Sequence, residues 1–277
     1  MDVEAVSYTA QWTAAARALE SERAGDALFE DRFARALAAP RGFELLDKYG
    51  GGGLIPFIAI RTRYFDDSVD AVLREGDVRQ VVLVAAGMDT RAFRLTWPAG
   101  TTVYEIDHQA LVEEKRDRLA RLDARAAVER VEVKADLAGD WLPALRQAGF
   151  DPARPTLWIA EGLMFFLTEE QVVHLLRTLG SASAPGSRLA VDFVSRALLR
   201  SPFSQAFLKG LKADGTPWLF GTDAPEDFLA ASGWKVRDLR EPGEPGAGQG
   251  RWPYEVQPRD RPGVARSWLV RAEYAGS

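Results

Sequence analysis

Cysteine is absent from the 277 residues of this chain, and histidine occurs only twice. Without cysteine there is no disulfide, no thiolate metal ligand and no cysteine nucleophile, and we predict no metal site. The first thirty residues lack the apolar core of a signal peptide. The longest apolar runs, such as 81–88, are far below the ~20 residues that span a bilayer. We therefore expect a cytoplasmic protein without membrane contacts.

An excess of positive charge is also missing. The chain has 35 lysine and arginine residues against 40 aspartate and glutamate residues, and it has no basic run. This balance argues against nucleic acid and anionic membranes as partners, and we expect a small-molecule substrate instead. The hydrophobic fraction of 47% is ordinary for a globular protein, and a chain of this length can form one large core. The sequence contains no recognisable heptad repeat, so we assign no oligomeric state.

The N-terminal quarter of the chain is predicted to be helical. Alanine-rich sequence near the start favours helix, and apolar residues recur further on at helical spacing, interrupted at Pro40–Gly42. Four glycines at 50–53 break the chain before a helix that we expect from about Pro56 to Glu75. We interpret residues 1–76 as an N-terminal helical cap.

From residue 78 onward, short β-branched runs alternate with helical stretches, which is typical of βαβ units and a parallel sheet covered on both faces. The predicted strands are 80–85, 101–106, 130–134, 155–160, 187–194, 234–239 and 267–272. The predicted helices are 89–95, 108–122, 140–149 and 168–182. No helix fits between the last two strands, where five prolines and five glycines occur over 241–263. This ending indicates that the last strand is antiparallel to the others.

Seven strands in a mostly parallel, Rossmann-like sheet with a terminal antiparallel hairpin are the layout of class I methyltransferases. The sheet of a dehydrogenase normally continues with parallel strands. We therefore predict an α/β protein whose methyltransferase domain covers 77–277, with cap insertions at about 195–222 and 241–263. This is a comparison of folds, so function has to be argued from a site.

The turn after the first predicted strand is a candidate ligand site. Small residues over 85–87, among them Ala86 and Gly87, allow a ligand to approach the backbone closely. In open α/β sheets, ligands bind at the carboxyl ends of strands, near the point where strand order reverses. Asp107 ends the next strand, twenty residues after Gly87, which is the spacing of an acid that binds ribose hydroxyls. A helix cap is the alternative role of Asp107.

The composition of this turn disfavours a dinucleotide. The dinucleotide fingerprint needs three glycines around a pyrophosphate, whereas Gly87 is the one glycine of this turn. Asp89 places negative charge where a pyrophosphate would sit at a helix N-terminus. A cofactor without phosphates, such as S-adenosylmethionine, is therefore easier to accept.

Several motifs, in this order, resemble the leucine carboxyl methyltransferase family, including its bacterial branch of small-molecule O-methyltransferases. The resemblance extends from about Ser7 to Val194 and rests on residues 9–10, 14–20, 61–67, 85–91, 104–107, 135–137, 160–163 and 184–189. It implies S-adenosylmethionine as the methyl donor. The turn reads Ala-Ala-Gly where the family often has Gly-Ala-Gly or Ala-Ser-Gly, and it keeps the final glycine. Little matches after residue 195, which predicts that the later segments determine the substrate.

The resemblance implies a cofactor site of eight residues at matching positions: Arg61, Ala86, Gly87, Asp107, His108, Asp136, Leu137 and Glu161. Arg61 is expected to hold the carboxylate of the cofactor, and Glu161 to lie near its amino group. Asp107 is expected at the ribose, and Asp136 with Leu137 at the adenine. Helix capping is the alternative role of Asp136 and Glu161.

The residues around Arg61 also favour a ligand role. Its helical neighbours three and four positions away include no acid, so a salt bridge on that face lacks a partner, and a planar ligand carboxylate suits a guanidinium. Extension into solvent is the alternative. Arg63 differs, because Asp67 four residues later predicts a helical ion pair.

The scarcity of histidine bears on the reaction. Methyl transfer from a sulfonium is an in-line displacement, with the nucleophile ~3–3.5 Å from the methyl carbon. A carboxylate of pKa ~4 is already ionised at neutral pH, whereas a phenol of pKa ~10 usually needs a base. His108 serves equally well as a helix-start residue, and His174 is predicted to be structural or on the surface. We therefore assign no catalytic residue and predict carboxyl methylation, with phenol or hydroxyl methylation as the alternative.

The acceptor is expected between the N-terminal helices and the segments 195–222 and 241–263. Aromatic residues in these two segments predict an apolar or aromatic acceptor, of the kind made in secondary metabolism: Phe203, Phe207, Trp218, Phe220, Trp252 and Tyr254. Core packing is the alternative for each of them. Three other functions stay open: a nicotinamide-dependent oxidoreductase, a binding protein without turnover, and an enzyme that methylates a protein C-terminus.

Overall fold

A computed structural model describes residues 3–51 and 53–276, with side chains from Thr9 onward. Its seven strands are β1 (Gln80–Val84), β2 (Thr102–Asp107), β3 (Glu129–Lys134), β4 (Thr156–Ala160), β5 (Arg188–Val194), β6 (Trp234–Arg240) and β7 (Ser267–Tyr274). They form one sheet in the order β3-β2-β1-β4-β5-β7-β6. The first five strands pair in parallel, and β7 lies antiparallel between β5 and β6. The predicted fold with its terminal hairpin is confirmed.

The helices precede, connect and follow these strands. They are α1 (Val3–Ser21), α2 (Ala34–Tyr49), α3 (Leu54–Glu75), α4 (Arg91–Arg94), α5 (Gln109–Ala120), α6 (Leu142–Gln147), α7 (Glu169–Ser181), α8 (Arg196–Arg200), α9 (Gln205–Ala213) and α10 (Pro225–Ala230). Two 3-10 turns occur at Met164–Phe166 and Pro202–Ser204. None of the helices in the described part of the chain is long and apolar enough to cross a membrane.

Strand β1 contributes side chains to two hydrophobic cores, one on each face of the sheet. All five residues of β1 are buried, and successive side chains of a strand point to opposite faces. Val81 and Leu83 join a core that includes residues of α1, α2, α3 and α5. Val82 and Val84 join a second core that includes residues of α6, α7 and α10. Burial on both faces accounts for the continuous apolar run of this strand.

The N-terminal helices follow the predicted breaks with small shifts. Residues 34–49 form one helix that is kinked at Ala39, where φ is 53°, and helical geometry resumes at Pro40. Pro40 suits such a restart because its fixed φ is helical and its missing N–H has no partner in a first turn. The next helix begins at Leu54, two residues before the expected start. Gly52, within the predicted glycine break, lies outside the described residues.

One segment leaves the sheet after β5 and returns beside its own starting point. We call residues 196–220, which contain α8 and α9, the flap. At its base the backbone N–H of Thr222 donates to the carbonyl of Val194 at 2.8 Å. A Cβ atom on Gly221 would lie 2.9 Å from the same carbonyl oxygen, so the two ends of the flap are in close backbone contact.

Candidate functional site

A cavity of about 360 Å³ lies at the carboxyl ends of β1, β2 and β4, a volume within the ~300–1,000 Å³ of small-molecule sites. All eight residues predicted to bind the cofactor line it: Arg61, Ala86, Gly87, Asp107, His108, Asp136, Leu137 and Glu161. Strand order brings them together, because β1 lies between β2 and β4 and the order reverses there.

The turn after β1 is fixed by the end of β2. The two carboxylate oxygens of Asp107 accept hydrogen bonds from the backbone N–H of Gly87 at 2.7 Å and of His108 at 2.8 Å. Burial raises the pKa of Asp107, although these two N–H groups lower it. Gly87 has a positive φ of 48°, and a Cβ there would lie 3.2 Å from the Cβ of Ala10 in α1. The backbone conformation and this close contact both favour glycine here.

Arg91 connects the turn to two other elements. This buried side chain donates to Asp66 at 2.8 Å and pairs with Asp89 and, at 2.8 Å, with Glu161. Burial raises the pKa of Asp89, but Arg91, Lys115 and Arg94 outweigh it and hold the pKa at about 2. Asp89 is thus ionised but paired, so its charge opposes a phosphate less strongly than the sequence argument supposes.

Arg61 has the acidic partners that the sequence argument did not find. Its Nε donates to Glu161 at 3.0 Å and its Nη1 to Asp192 at 3.3 Å. The inference that it lacks a salt-bridge partner is therefore wrong, because the acids come from β5 and the end of β4 instead of its own helix. Nη2 makes no hydrogen bond with the described residues. The Arg63–Asp67 helical ion pair is confirmed at 2.9 Å.

Arg17 of α1 lines the cavity, and no role was predicted for it. Its Nε donates to Asp31 at 3.0 Å and its Nη2 to the carbonyl of Met88. Nη1 has no hydrogen-bond partner within the described ranges. Arg17 lies within the motif at 14–20, which is the one sequence signal that could have identified it.

The two histidines occupy the edge of the cavity. His108 precedes the first residue of α5, and its Nε2 lies 4.0 Å from Asp136, a carboxylate whose side chain is 64% exposed. Asp136 also accepts from the backbone N–H of Ala138 at 2.9 Å. His174 is exposed, as predicted, but it contributes to the cavity lining.

Apolar side chains from three parts of the chain contribute to the lining: Trp12, Leu54 and Phe57 from the N-terminal helices, Phe165 and Phe166 after β4, and Trp218 from the flap. The rings of Phe165 and Trp218 are 4.2 Å apart between centroids. Phe165 and Phe166 were not predicted to be site residues, because no motif distinguishes them from core residues.

Core packing, the alternative role of the six aromatic residues, is what the structure shows for Phe207 and Phe220. Of the six residues only Trp218 lines the cavity. Phe203 is 98% exposed, Phe220 is buried against Phe193 and Phe228, and Phe207 packs behind Trp218.

The segment 241–263 contributes none of the described residues that line the cavity, contrary to prediction. It leaves β6, the outermost strand, which β7 separates from β5. It packs on α3 and the turn before it, where Trp252 and Tyr254 lie against Gly53 and Gly248 lies against Ile60.

Comparisons with known proteins agree with this geometry. A sequence profile of the leucine carboxyl methyltransferase family matches residues 10–180, which ends before the last motif of the predicted resemblance. A protein of Mycolicibacterium smegmatis classed as an S-adenosyl-L-methionine-dependent methyltransferase is 40% identical over 83% of this chain and 84% of its own. A protein of Mycobacteroides abscessus in the same class is 38% identical over 87% and 88%.

Two solved structures share the fold. A DUF574 family protein of Streptomyces avermitilis has a TM-score of 0.62 at 15% identity and covers 84% of this chain and 90% of its own. A protein of Thermobifida fusca, named as a methyltransferase, has a TM-score of 0.58 at 16% identity and covers 94% of each chain. The chain belongs to the leucine carboxyl methyltransferase family and is a class I methyltransferase that takes its methyl group from S-adenosylmethionine.

Proposed function

We propose that the protein methylates an oxygen atom of a small molecule, with a carboxylate as the acceptor. The ionisable groups of the cavity carry this proposal. Among the described residues that line it there is no lysine and no tyrosine, and its carboxylates accept from arginines or from backbone N–H groups. His108 and His174 remain, both at the edge. An acceptor that is already ionised needs neither as a base.

The cavity offers polar groups that suit the methyl donor. Nη2 of Arg61 and Nη1 of Arg17 make no hydrogen bond within the described part of the chain and can donate to a carboxylate. The carboxylate of Asp107 has lone pairs left for hydroxyl groups. We assign Arg61 to the carboxylate of the cofactor, Glu161 to the neighbourhood of its amino group and Asp107 to its ribose. Asp136 and Leu137 at the open end are assigned to the adenine. When bound, the sulfonium supplies an electrophilic methyl group.

The acceptor is proposed to lie against the apolar part of the lining. Phe165 and Trp218 present adjacent rings there, which suits an apolar or aromatic molecule of secondary metabolism. Arg17 and Arg61 each have one nitrogen without a partner among the described residues, so Arg61 can bind the carboxylate of the cofactor and Arg17 that of the acceptor. The apolar walls exclude water from the displacement, and the arginines orient the reacting groups. We propose that this reaction takes place in the cytoplasm.

The test uses purified protein, S-adenosylmethionine with an isotope-labelled methyl group, and a panel of aromatic carboxylic acids, phenols and peptides that end in leucine. We expect label in small carboxylic acids, released by mild alkali as methyl esters are. An alkali-stable product would be an ether and would reject carboxyl methylation. Label in the peptides alone would point to a protein acceptor. The Asp107→Ala variant is the control for background transfer.

Methylation of a phenol is the second candidate, and the position of His174 favours it. This exposed histidine lines the cavity together with Phe166 and Gln171, so it is available as a general base. A His174→Ala variant separates the two reactions. Carboxyl methylation should keep its rate, whereas phenol methylation should lose about 100-fold or more of its kcat.

A further inference from the structure

One network of buried charges forms part of the cavity wall and extends behind it. Its members are joined by ion pairs and, through the hydroxyl of Thr90, by hydrogen bonds: Arg17, Arg61, Arg91, Arg94, Asp31, Asp66, Asp89, Glu161 and Asp192. Each of these side chains is at most 16% exposed. Solvent and salt therefore screen their charges poorly.

The charges of this network do not balance. Four arginines face five carboxylates, so the network carries one more negative than positive charge. Asp107, which accepts from backbone N–H groups and forms no ion pair with the described residues, adds a second negative charge at the cavity wall. A buried excess of one sign is unfavourable unless a ligand of the opposite sign compensates it.

We propose that this excess negative charge favours the cationic methyl donor over its by-product, which has no net charge, and that Asp192 is the residue that supplies it. The proposal rests on the cofactor site proposed above. During transfer the bond between sulfur and methyl carbon breaks and its electron pair stays on sulfur, while the acceptor oxygen forms the new bond with its own electron pair. The sulfonium thereby becomes a neutral thioether, S-adenosylhomocysteine. The attraction to the network disappears in the same step, which favours exchange of the by-product for new donor.

Asp192 is suited to this role by its position. It is 1% exposed on β5 and does not belong to the described lining of the cavity, so it acts by its charge and through Arg61. Its Oδ1 accepts from the backbone N–H of Gly162 at 2.6 Å, and its Oδ2 faces Nη1 of Arg61 at 3.3 Å. Glu161 already pairs with both Arg61 and Arg91. Asp192 is thus a second carboxylate on an arginine that Glu161 already pairs with.

The direction of two pKa shifts agrees with an uncompensated charge. Burial raises the pKa of Asp192, and Arg61 and the N–H of Gly162 do not reverse this. Burial likewise raises the pKa of Asp107. Glu161 is different, because Arg91 and Arg61 overcome the effect of its burial and lower its pKa. A cation in the cavity would lower the pKa of both Asp192 and Asp107, because it favours their ionised forms.

The experiment is to measure the Kd of S-adenosylmethionine and of S-adenosylhomocysteine by calorimetry for the wild type and for Asp192→Asn. Asparagine keeps the shape and the Oδ1 acceptor for Gly162 but removes the charge. For charges about 10 Å apart at an effective dielectric constant of about 20, Coulomb's law gives about a tenfold change in Kd. In Asp192→Asn we expect the ratio of the Kd of the donor to the Kd of the by-product to rise about tenfold. The control is Asp238→Asn, where the replaced acid accepts from Tyr64 outside the network, and the ratio of the two Kd values should not change.

Equal weakening of both ligands, or greater weakening of the by-product, would show that Asp192 only holds the structure together and would overturn the proposal. Failure of the wild type to bind either ligand would reject the cofactor site itself. A second measurement covers loss of folding in the variant. It uses the wild type and an analogue of the donor in which a carbon atom bearing an ammonium group replaces the sulfur and its methyl group. This analogue is a cation like the donor, and it should bind more tightly than S-adenosylhomocysteine. Equal or weaker binding of this cation contradicts the proposal.

Discussion

The carboxylate of Asp107 lies 2.7 Å from the backbone nitrogen of Gly87, so the residue assigned to the ribose also holds the turn assigned to the methionine part. One side chain thus fixes the relative position of β1 and β2 at the cavity. Such pre-organisation reduces the ordering that binding would otherwise require.

The first prediction follows from this contact. Asp107→Ala removes both the acceptor for the cofactor hydroxyls and the anchor of the turn, and we expect the Kd of S-adenosylhomocysteine to rise about 30-fold or more. Asp136→Ala is the matched control: its side chain is 64% exposed, so a change of only a few-fold is expected. Calorimetry measures both. An unchanged Kd in Asp107→Ala would reject the ribose assignment.

Glycine at position 162 is predicted to be essential for two separate reasons. Its φ is +68°, and an added Cβ would lie 3.0 Å from Nη1 of Arg61. Gly162→Ala should therefore lower the free energy of unfolding by about 2–3 kcal/mol and weaken cofactor binding through Arg61. Gly100→Ala separates the two causes, because Gly100 has a φ of +76° with no atom within 4 Å. Gly100→Ala should lower the free energy of unfolding by about 1 kcal/mol, measured by urea unfolding. It should leave the Kd of the cofactor, measured by calorimetry, unchanged. Equal effects of the two substitutions on binding would contradict the role given to Arg61.

Trp218 is predicted to contribute to acceptor binding alone. Trp218→Ala removes a ring that stacks near Phe165 in the apolar lining, and we expect the KM of the acceptor to rise about tenfold or more while the Kd of the cofactor stays the same. Phe203→Ala in the same flap is the control, because this ring is 98% exposed. Steady-state kinetics with the acceptor from the substrate panel tests both. A rise in cofactor Kd would instead place Trp218 in the donor site.

The paired carboxylate of Asp89 predicts a pH dependence of stability. Burial opposes its ionisation, yet Arg91 in particular lowers the pKa from 3.8 to about 2. An acid with a lowered pKa stabilises the folded state above its unfolded pKa, and this contribution is lost as the pH falls towards the folded pKa. We expect about 1 kcal/mol of the unfolding free energy to be lost through Asp89 between about pH 5 and about pH 3.

Urea unfolding at these two pH values compares the wild type with Asp89→Asn. The variant should be less stable than the wild type at the higher pH and should lose less stability on acidification. Asp136→Asn, at an exposed carboxylate, should behave as the wild type does. The same loss of stability in all three proteins would exclude Asp89 as the source.

The sheet could be predicted because its strands depend on local sequence, and the eight cavity residues could be predicted because they lie in or next to motifs that resemble a known family. Strands such as β1 are continuous apolar runs with a turn at the end, and parallel strands bring their carboxyl ends to one edge. Asp107 and Glu161 each follow a strand, so their convergence on one cavity follows from the topology once the strands are placed.

Contacts between distant segments could not be predicted in the same way. Arg61 pairs with acids 100 and 131 residues later in the chain, and helical spacing carries no information about them. The location of segment 241–263 depends on where β7 inserts. A hairpin added to the outer edge of β5 in chain order would have brought this segment nearer the cavity, but β7 lies between β5 and β6 and moves it away.

The flap begins and ends at one point of the sheet, where Thr222 bonds to Val194 and Gly221 packs against the same carbonyl. A segment closed in this way can gain, lose or exchange residues at small entropic cost to the fold, since its ends stay together. On the proposed assignments, such changes would alter the acceptor and leave the donor residues unmoved. The architecture is therefore open to diversification of substrate range, and exchange of residues 196–220 between relatives is a direct route to enzymes with new acceptors.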